Sequence, residues 1–498
     1  MNLGMLLEMV ADGAGDRVVL GPIAGGFTGG GLLSQARKAA AMFARSGASH
    51  VVLLDLNSEA VPVSLLGAAL AGLPFVPVNY RLTDEQLASI LGRVTPGVVV
   101  AGEETSGRVP VDLDLTVIPR EEILDPAGAG SGEADLPWIE PEEIAVLLFT
   151  SGTTGEPKAA VLRHRHLVSY IIGSVEYLAA DEEEAQLISV PPYHIAGISS
   201  ILSSLYSGRR MLYMPGFDPD GWVELVERER VTQAMVVPTM LGRILDRIDA
   251  GQRDLSSLRH LSYGGGRMPV ETIERAIKVL PDVNFVNAYG LTETSSTVSV
   301  LTPADHRDAV ASDDPTVRAR LASVGRPLPT VEVDIRDPDG NPVGPGDRGE
   351  VWVRGEQVAG EYLGRSVLTD DGWFRTRDAG WIDGEGFLYL DGRLDDVIVR
   401  GGENLSPGEI EDTLAQHPAV AEAAVVGIPD PEWGEAVAAA VVLEPGATAT
   451  TDELQQWCRE RLRSTKSPQV IQFRDEMPYN ETGKLLRRVI REEMASAR

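Results

Sequence analysis

Between residues 32 and 78 the chain alternates, without a break, between helix-like and strand-like apolar patterns, and this rhythm constrains the fold more than any other feature. "LLSQARKAAAMFARSG" (32–47) reads as an Ala-rich helix and "HVVLLDL" (50–56) as a buried strand. "AVPVSLLGAALAGL" (60–73) predicts a second helix, and "PFVPV" (74–78) a short strand. The alternation returns at "VTQAMVVPT" (231–239) and "LRHLSYGGG" (258–266), which predicts a wound α/β body with loops at its strand ends. No repeat of fixed period is present. "DPAGAGSGEADLP" (125–137) reads as a polar surface loop.

From about Val331 the texture changes. "VEVDIRD", "GEVWVRG" and "GFLYLDGR" are short strands separated by "PDGNPVGPGD" and "DGEG", a pattern of hairpins. A helix is expected at "SPGEIEDTLAQ" (406–416), with Ser406 as cap, Pro407 at the first helical position and Glu409 completing a capping box. Ile410 and Leu414 would share its buried face. The stretches that follow, with a helix from Thr451, read as a compact α+β unit. At 498 residues the chain exceeds one ordinary core. The turn "GRLDD" marks the boundary, giving expected domains 1–394 and 395–498.

With 74 acids against 44 bases the formal charge is −30. Nonspecific binding to nucleic acid or to an anionic membrane is therefore disfavoured. An anionic small ligand is not, because exposed charge is screened within about 8 Å at physiological salt and the local site decides. Cys458 is the only cysteine, so an intramolecular disulfide is impossible and a reducing compartment is expected. The N-terminus is a poor signal peptide and no apolar run reaches the length of a membrane span. The expectation is a cytoplasmic protein.

"LLFTSGTTGEPKAAVL" (147–162) stands out in so acidic a chain. "AVLLFT" predicts a buried strand that delivers Thr150 to its end. The hydroxyls and glycines that follow can aim donors at one anion, and Lys158 adds a mobile positive charge. Taken alone, such a loop is more often an ordinary polar turn. It is not a Walker A loop, since "EPKA" breaks that pattern, and "PYNETGKLL" fails it too. "AAVLRH" predicts a strand after the loop, so no helix dipole need assist. There is no G-x-S-x-G elbow. His164 and His166 are expected in an exposed basic "RHRH" turn rather than at a metal.

"FTSGTTGEPKAAV" resembles the phosphate-binding loop of the acyl- and aryl-CoA synthetase, luciferase and peptide-synthetase adenylation superfamily. Further motifs follow in that family's order: "PPYHIAG" (191–197), "NAYGLTETSS" (287–296), "DGWFRTRDAGWIDGEGFLYLDGRLDDVIVRGGENLSPGEIE" (371–411) and "PYNETGK" (478–484). "PVNYRLTDEQL" (77–87) is similar to its N-terminal region. The resemblance spans nearly the whole chain. It implies a large multi-subdomain N-terminal α/β domain with a small mobile α+β C-terminal domain. It also implies ATP, Mg²⁺ and CoA as cofactor and co-substrates.

The resemblance assigns roles residue by residue. Thr150, Ser151, Gly152, Thr153, Thr154, Gly155 and Lys158 would hold the β- and γ-phosphates. Thr292 would contact phosphate and Glu293 would hold Mg²⁺, although alone Glu293 reads as a solvated acid. Tyr289 offers a ring to adenine, flanked by Asn287, Ala288 and Gly290. Gly264, Gly265 and Gly266 would let backbone approach the base. Asp378 and Arg393 match the ribose positions; the family usually has Thr-Gly-Asp where this chain has Thr376-Arg377-Asp378. Lys484 resembles the catalytic lysine, whose ammonium would draw a carboxylate and the α-phosphate into line. Asp395 matches the hinge about which the small domain rotates.

Substrate choice is expected in a pocket that includes His194, Ile195, Gly197 and Ser295. Residues 193–207 contain no carboxylate to pair an α-ammonium, which disfavours amino acids and leaves an apolar aliphatic or aromatic acid. For the acceptor, Gly401 and Gly402 would line a thiol path, with Trp433 and Lys466 beside it. Taken alone, Trp433 reads as structural. Gln469 stands at an often basic position, leaving an acyl carrier protein or a non-thiol acceptor beside CoA. The resemblance thus implies first a Mg²⁺-ATP-dependent acid–CoA ligase, second the same adenylation with another acceptor, and third a nucleotide-binding protein without chemistry, which Lys158, Glu293, Asp378, Arg393 and Lys484 oppose.

Overall fold

Every residue of the helix Ala60–Ala71 is buried, and a helix that is apolar all round has to be enclosed. In the computed structural model, which describes residues 1–125, 136–150, 157–251, 253–400, 403–479 and 485–496, it lies against one sheet and against the helices Leu3–Gly13, Gly29–Arg45 and Arg120–Leu124. Its Val61, Leu65 and Leu66 share one core with Val51, Leu53 and Phe75 of that sheet and with Leu20, Ile188 and Met211 of a second. Each such aliphatic side chain contributes roughly 1.5–3 kcal/mol by burial. The helix Gly29–Arg45 packs alongside through Ala36, Ala39 and Ala40. A Cβ on Gly67 would lie 2.8 Å from that of Ala39, so the glycine lets the two helices close together.

The first sheet places Phe75–Pro77, His50–Leu54, Gly97–Ala101 and Leu115–Pro119 in parallel register, with Ile144–Thr150 beside Phe75–Pro77. The chain then turns back antiparallel as Lys158–Arg163. In the second, Arg210–Tyr213, Ala185–Ile188, Gln233–Val236, His260–Gly264 and Asn284–Leu291 run parallel. Loops at the carboxyl ends of such strands form the usual ligand crevice of wound sheets. Here these ends lead into residues 189–194, Val237 with the helix start at Pro238, and residues 265–269.

The hairpins expected after Val331 form an antiparallel sheet of Glu332–Arg336, Gly349–Arg354, Phe374–Ile382 and Leu388–Arg393. A fourth sheet begins at Ile398–Arg400 and is dominated by the hairpin Val420–Asp430 and Gly434–Leu443. The helix Pro407–Ala415 packs on this sheet with Ile410 and Leu414 fully buried. Its expected capping box is absent: the Ser406 hydroxyl donates to the Asp391 carbonyl at 3.0 Å, and Glu409 pairs with Lys466. The helix Thr451–Arg461 does start with one, from Thr450 and Glu453.

The "RHRH" segment is not an exposed turn. His164 opens a helix, and both His164 and His166 are 1% exposed. The His164 Nδ1 accepts from the Leu3 amide and the His166 Nδ1 from the Arg163 amide, each at 3.3 Å. Burial drives His164 down to about 4 and His166 down to about 3. Most of the loop expected at 125–137 lies outside the described residues. Among those described, no helix is long and apolar enough to cross a membrane.

Candidate active site

Ile144–Thr150 is buried through its middle and delivers Thr150 to its carboxyl end, as its apolar run predicts. Thr150 pairs with Lys158 across the hairpin, its hydroxyl donating to the Lys158 carbonyl at 3.4 Å. The intervening Ser151, Gly152, Thr153, Thr154 and Gly155 lie outside the described residues, as do Gly401, Gly402 and Lys484. Lys158 is exposed, and its ammonium stands 5.7 Å from the centroid of the Tyr362 ring.

Asn284–Leu291 carries Asn287, Ala288, Tyr289 and Gly290, and passes directly into the one-turn helix Thr292–Thr294. A Cβ at Gly290 would collide with the Ser296 carbonyl, so the hairpin needs glycine there. The Asn287 amide donates to the Ser323 carbonyl at 3.1 Å, which engages it with the body. Gly264 closes the adjacent strand, and Gly265 takes a left-handed φ of 76° before Gly266.

Antiparallel register sets Asp378 opposite Arg393. The Arg393 Nε lies 3.1 Å from Asp378 Oδ1, and the Tyr289 hydroxyl donates to Asp378 Oδ2 at 2.5 Å. Asp378 is 8% exposed, so it is a buried, paired carboxylate rather than one surface acid among many. Burial first, then the Asp378 charge, raises the Tyr289 phenol well above its ordinary value, which keeps it a donor. Arg377 adopts a left-handed φ of 63°. Its guanidinium contacts Asp395 Oδ1 at 2.6 Å, and its amide donates to Glu350 at 3.2 Å. The left-handed angle gives a physical reason why the family usually has glycine at this position.

The Glu293 carboxylate accepts from the Tyr362 hydroxyl, and its main-chain carbonyl accepts from Ala359 and Gly360 at 2.8 and 3.1 Å. After it, Ser295 and Ser296 take left-handed φ values of 55° and 112°. Ser295 is fully buried, and its hydroxyl has no partner among the described residues. Gln357 is 1% exposed and donates to the carbonyls of Thr294 and Thr297 at 3.1 and 2.7 Å, bracketing the strained pair. No motif in the sequence points to Tyr362 or Gln357. Thus the stretch from Tyr289 to Glu293 joins the Asp378–Arg393 pair at one end and, through Tyr362, the neighbourhood of Lys158 at the other.

His194 is half-buried before the helix Ile195–Ser207, its ring 4.9 Å from that of Tyr193; burial takes it down to about 4, so it is neutral at pH 7. A Cβ on the buried Gly197 would lie 2.8 Å from the Pro191 carbonyl. Next to this segment is a cavity of about 310 Å³, whose lining includes Asn57, Tyr80, Pro192, Met240 and Tyr479. Arg81 and Arg243 also line it, stacked 5.3 Å from Tyr80 and 5.2 Å from Phe217, and no described lining residue is acidic. Farther on, Trp433 is 46% exposed under the Arg400 guanidinium at 5.1 Å.

Among the described residues no group of three or more His, Cys, Asp or Glu could hold a metal ion. Glu293 is instead a single hard donor whose partner Tyr362 also meets the Lys158 ammonium. That donor set suits magnesium carried in on nucleotide phosphates, which needs only one or two carboxylates from the protein.

A family model described as AMP-binding enzyme matches residues 7–363, and one described as AMP-binding enzyme C-terminal domain matches residues 409–484. The chain is 34% identical over 449 residues to a feruloyl-CoA synthase of an Amycolatopsis species, across 89% of this chain and 88% of the relative. It is 33% identical over 467 residues to the fatty acid–[acyl-carrier-protein] ligase ScoC of Streptomyces coeruleorubidus, across 89% and 86%. The crystal structure of ATP-bound MatB from Rhodopseudomonas palustris superposes with a TM-score of 0.89 at 26% identity, covering 100% of both chains.

Proposed function

We propose, from the premise that this chain belongs to the AMP-binding enzyme family, that it is an ATP-dependent carboxylic acid–CoA ligase for an apolar acid, aliphatic or aromatic. The observation that carries this reading is the single stretch Tyr289–Glu293, which links a buried carboxylate–guanidinium pair to the phosphate-loop cation.

A free carboxylate resists acyl transfer because oxide is a poor leaving group. The first half-reaction removes that obstacle: a carboxylate oxygen attacks the α-phosphorus of ATP, the bond to pyrophosphate breaks, and an acyl-AMP anhydride forms. Asp378 takes the ribose hydroxyls, held in orientation by Tyr289 and Arg393. Tyr289 and the Gly264–Gly266 loop bracket the base. Thr150 and Lys158, with the loop between them, hold the β- and γ-phosphates, and Glu293 supplies the protein's ligand to magnesium. Magnesium, when bound, neutralises phosphate charge as the pyrophosphate leaves. Lys484 bridges the two reacting anions.

In the second half-reaction the thiolate of CoA attacks the acyl carbon and AMP leaves. The cavity beside His194 offers a route for the pantetheine arm, and Arg81 and Arg243 meet its phosphates in an otherwise acidic chain. The small domain, 395–498, turns about Asp395 between the two steps. The absence of a carboxylate among the described residues of 193–207 and of the cavity lining speaks against an acyl group that carries an ammonium. The test is pyrophosphate release over a panel of carboxylic acids, with and without CoA. An aliphatic or aromatic acid is expected to release pyrophosphate and, with CoA, to yield a thioester. Absence of acyl-AMP from every acid would overturn the proposal, and acyl-AMP that CoA never consumes would redirect the second step to another acceptor.

A further inference from the structure

Residues 357–363 hold the Glu293 turn from several sides. The amides of Ala359 and Gly360 donate to the Glu293 carbonyl at 2.8 and 3.1 Å. Gln357 donates to the carbonyls of Thr294 and Thr297 and is itself fixed by the Thr330 hydroxyl at 3.3 Å. The same segment is tied to the phosphate-loop hairpin. Tyr362 pairs with Ala160, the Leu363 amide donates to Ala159 at 2.9 Å, and Glu361 forms a two-point ion pair with Arg163 at 2.7 and 2.9 Å.

Backbone fixation alone does not orient a glutamate carboxylate, which hangs on three rotatable bonds. Among the described residues the Tyr362 hydroxyl is the one hydrogen-bond donor to the Glu293 carboxylate. The opposite face of interest on Tyr362 is its ring, which lies within 5.7 Å of the Lys158 ammonium. One side chain therefore touches both the acid and the cation that act on the same triphosphate.

The geometry points to Tyr362 as a positioning residue for adenylation: its hydroxyl fixes one oxygen of Glu293, which would leave the other for magnesium, and its ring holds the Lys158 ammonium that would meet the phosphates. This rests on the nucleotide reading above. The hydroxyl donates to a charged acceptor, and such bonds are about twice as strong as neutral ones. The clamp is made of the chain's own side chains and needs no group from the nucleotide, the kind of fixed placement that a metal-phosphate site needs.

Tyr362→Phe deletes the hydroxyl while keeping the ring and every backbone bond. The magnesium concentration for half-maximal ATP binding, measured by calorimetry, is expected to rise about tenfold, the effect of losing one charge-assisted bond. Magnesium-free AMP binding should stay within about twofold. At one fixed magnesium concentration, the same substitution made in a Glu293→Gln background should change ATP affinity by less than about twofold, because the partner oxygen's charge is already gone. An unchanged magnesium dependence, or an undiminished effect in the Glu293→Gln background, would overturn the inference while leaving the ligase reading intact. A wild-type chain that binds no ATP at any magnesium concentration would overturn both.

Discussion

His166 makes a quantitative prediction that needs neither substrate nor cofactor. Its ring is 1% exposed, its Nδ1 already accepts from the Arg163 amide, and its Nε2 has no partner among the described residues. Protonation would put a hydrogen on Nδ1 facing another donor, inside a buried site flanked by Arg163 and Arg165. The folded chain therefore holds His166 down at about 3, against 6.5 for the free side chain. A depressed histidine binds fewer protons in the folded state than in the unfolded one, so its contribution to stability is full above about pH 6.5 and is lost as pH falls toward about 3. At about pH 5.5 the unfolded side chain carries about 0.9 proton and the folded one almost none. Proton uptake on unfolding in guanidinium chloride, followed by pH-stat at that pH, should fall by about 0.9 proton in His166→Asn, whose amide oxygen can still accept from Arg163. The corresponding loss of slope is about 1.2 kcal/mol per pH unit. Uptake is a difference between end states, so it does not depend on two-state unfolding in a chain of this size. A difference below about 0.3 proton would show that His166 titrates normally in the folded protein and would refute the reasoning.

Other expectations concern catalysis. Lys484→Ala should lose acyl-AMP formation yet still convert supplied adenylate to thioester; unimpaired pyrophosphate exchange would remove Lys484 from the first step. Asp395→Pro should slow thioester formation far more than adenylation, and equal losses, read by single-turnover assays of each step, would count against a hinge. Arg377→Gly relieves a left-handed residue and should exceed Arg377→Ala in stability by about 1 kcal/mol, the Ala variant keeping the strain while both lose the exposed Asp395 pair. The denaturation midpoints decide this, and an Ala variant at least as stable as the Gly variant would contradict it. Arg243→Ala should raise the KM for CoA several-fold with adenylation unchanged, and an unaltered KM would take the cavity mouth out of the CoA path.

The parts of this molecule that were readable from residue order are those fixed by local periodicity. The run before Thr150 predicts its strand, the alternation from 32 to 78 predicts the wound body, and Pro407 marks a helix start, because each depends on neighbours a few residues away. The errors have long-range causes. His164 is buried by a contact with the Leu3 amide, far off in sequence. Ser406 and Glu409 have the right spacing for a capping box, but Asp391 and Lys466 offer them better partners. The resemblance gave Asp378 and Arg393 a ribose role and Tyr289 an adenine role, but not their mutual contacts: register sets Arg393 opposite Asp378, and Tyr289 reaches it from a different sheet. Tyr362, Gln357 and Arg243 carry no motif at all, and the stretch 77–87 that contains Arg81 gave it no role. Their part in the site comes from where strand ends converge.

The fully buried helix Ala60–Ala71 also bears on how the molecule comes apart. Two sheets that share one apolar core with this rod cannot melt independently, because exposing that core to water costs both at once. Calorimetry should record a single endotherm for the large body despite its several sheets. Shortening Leu66, whose side chain is completely buried in that rod, should lower the endotherm without splitting it.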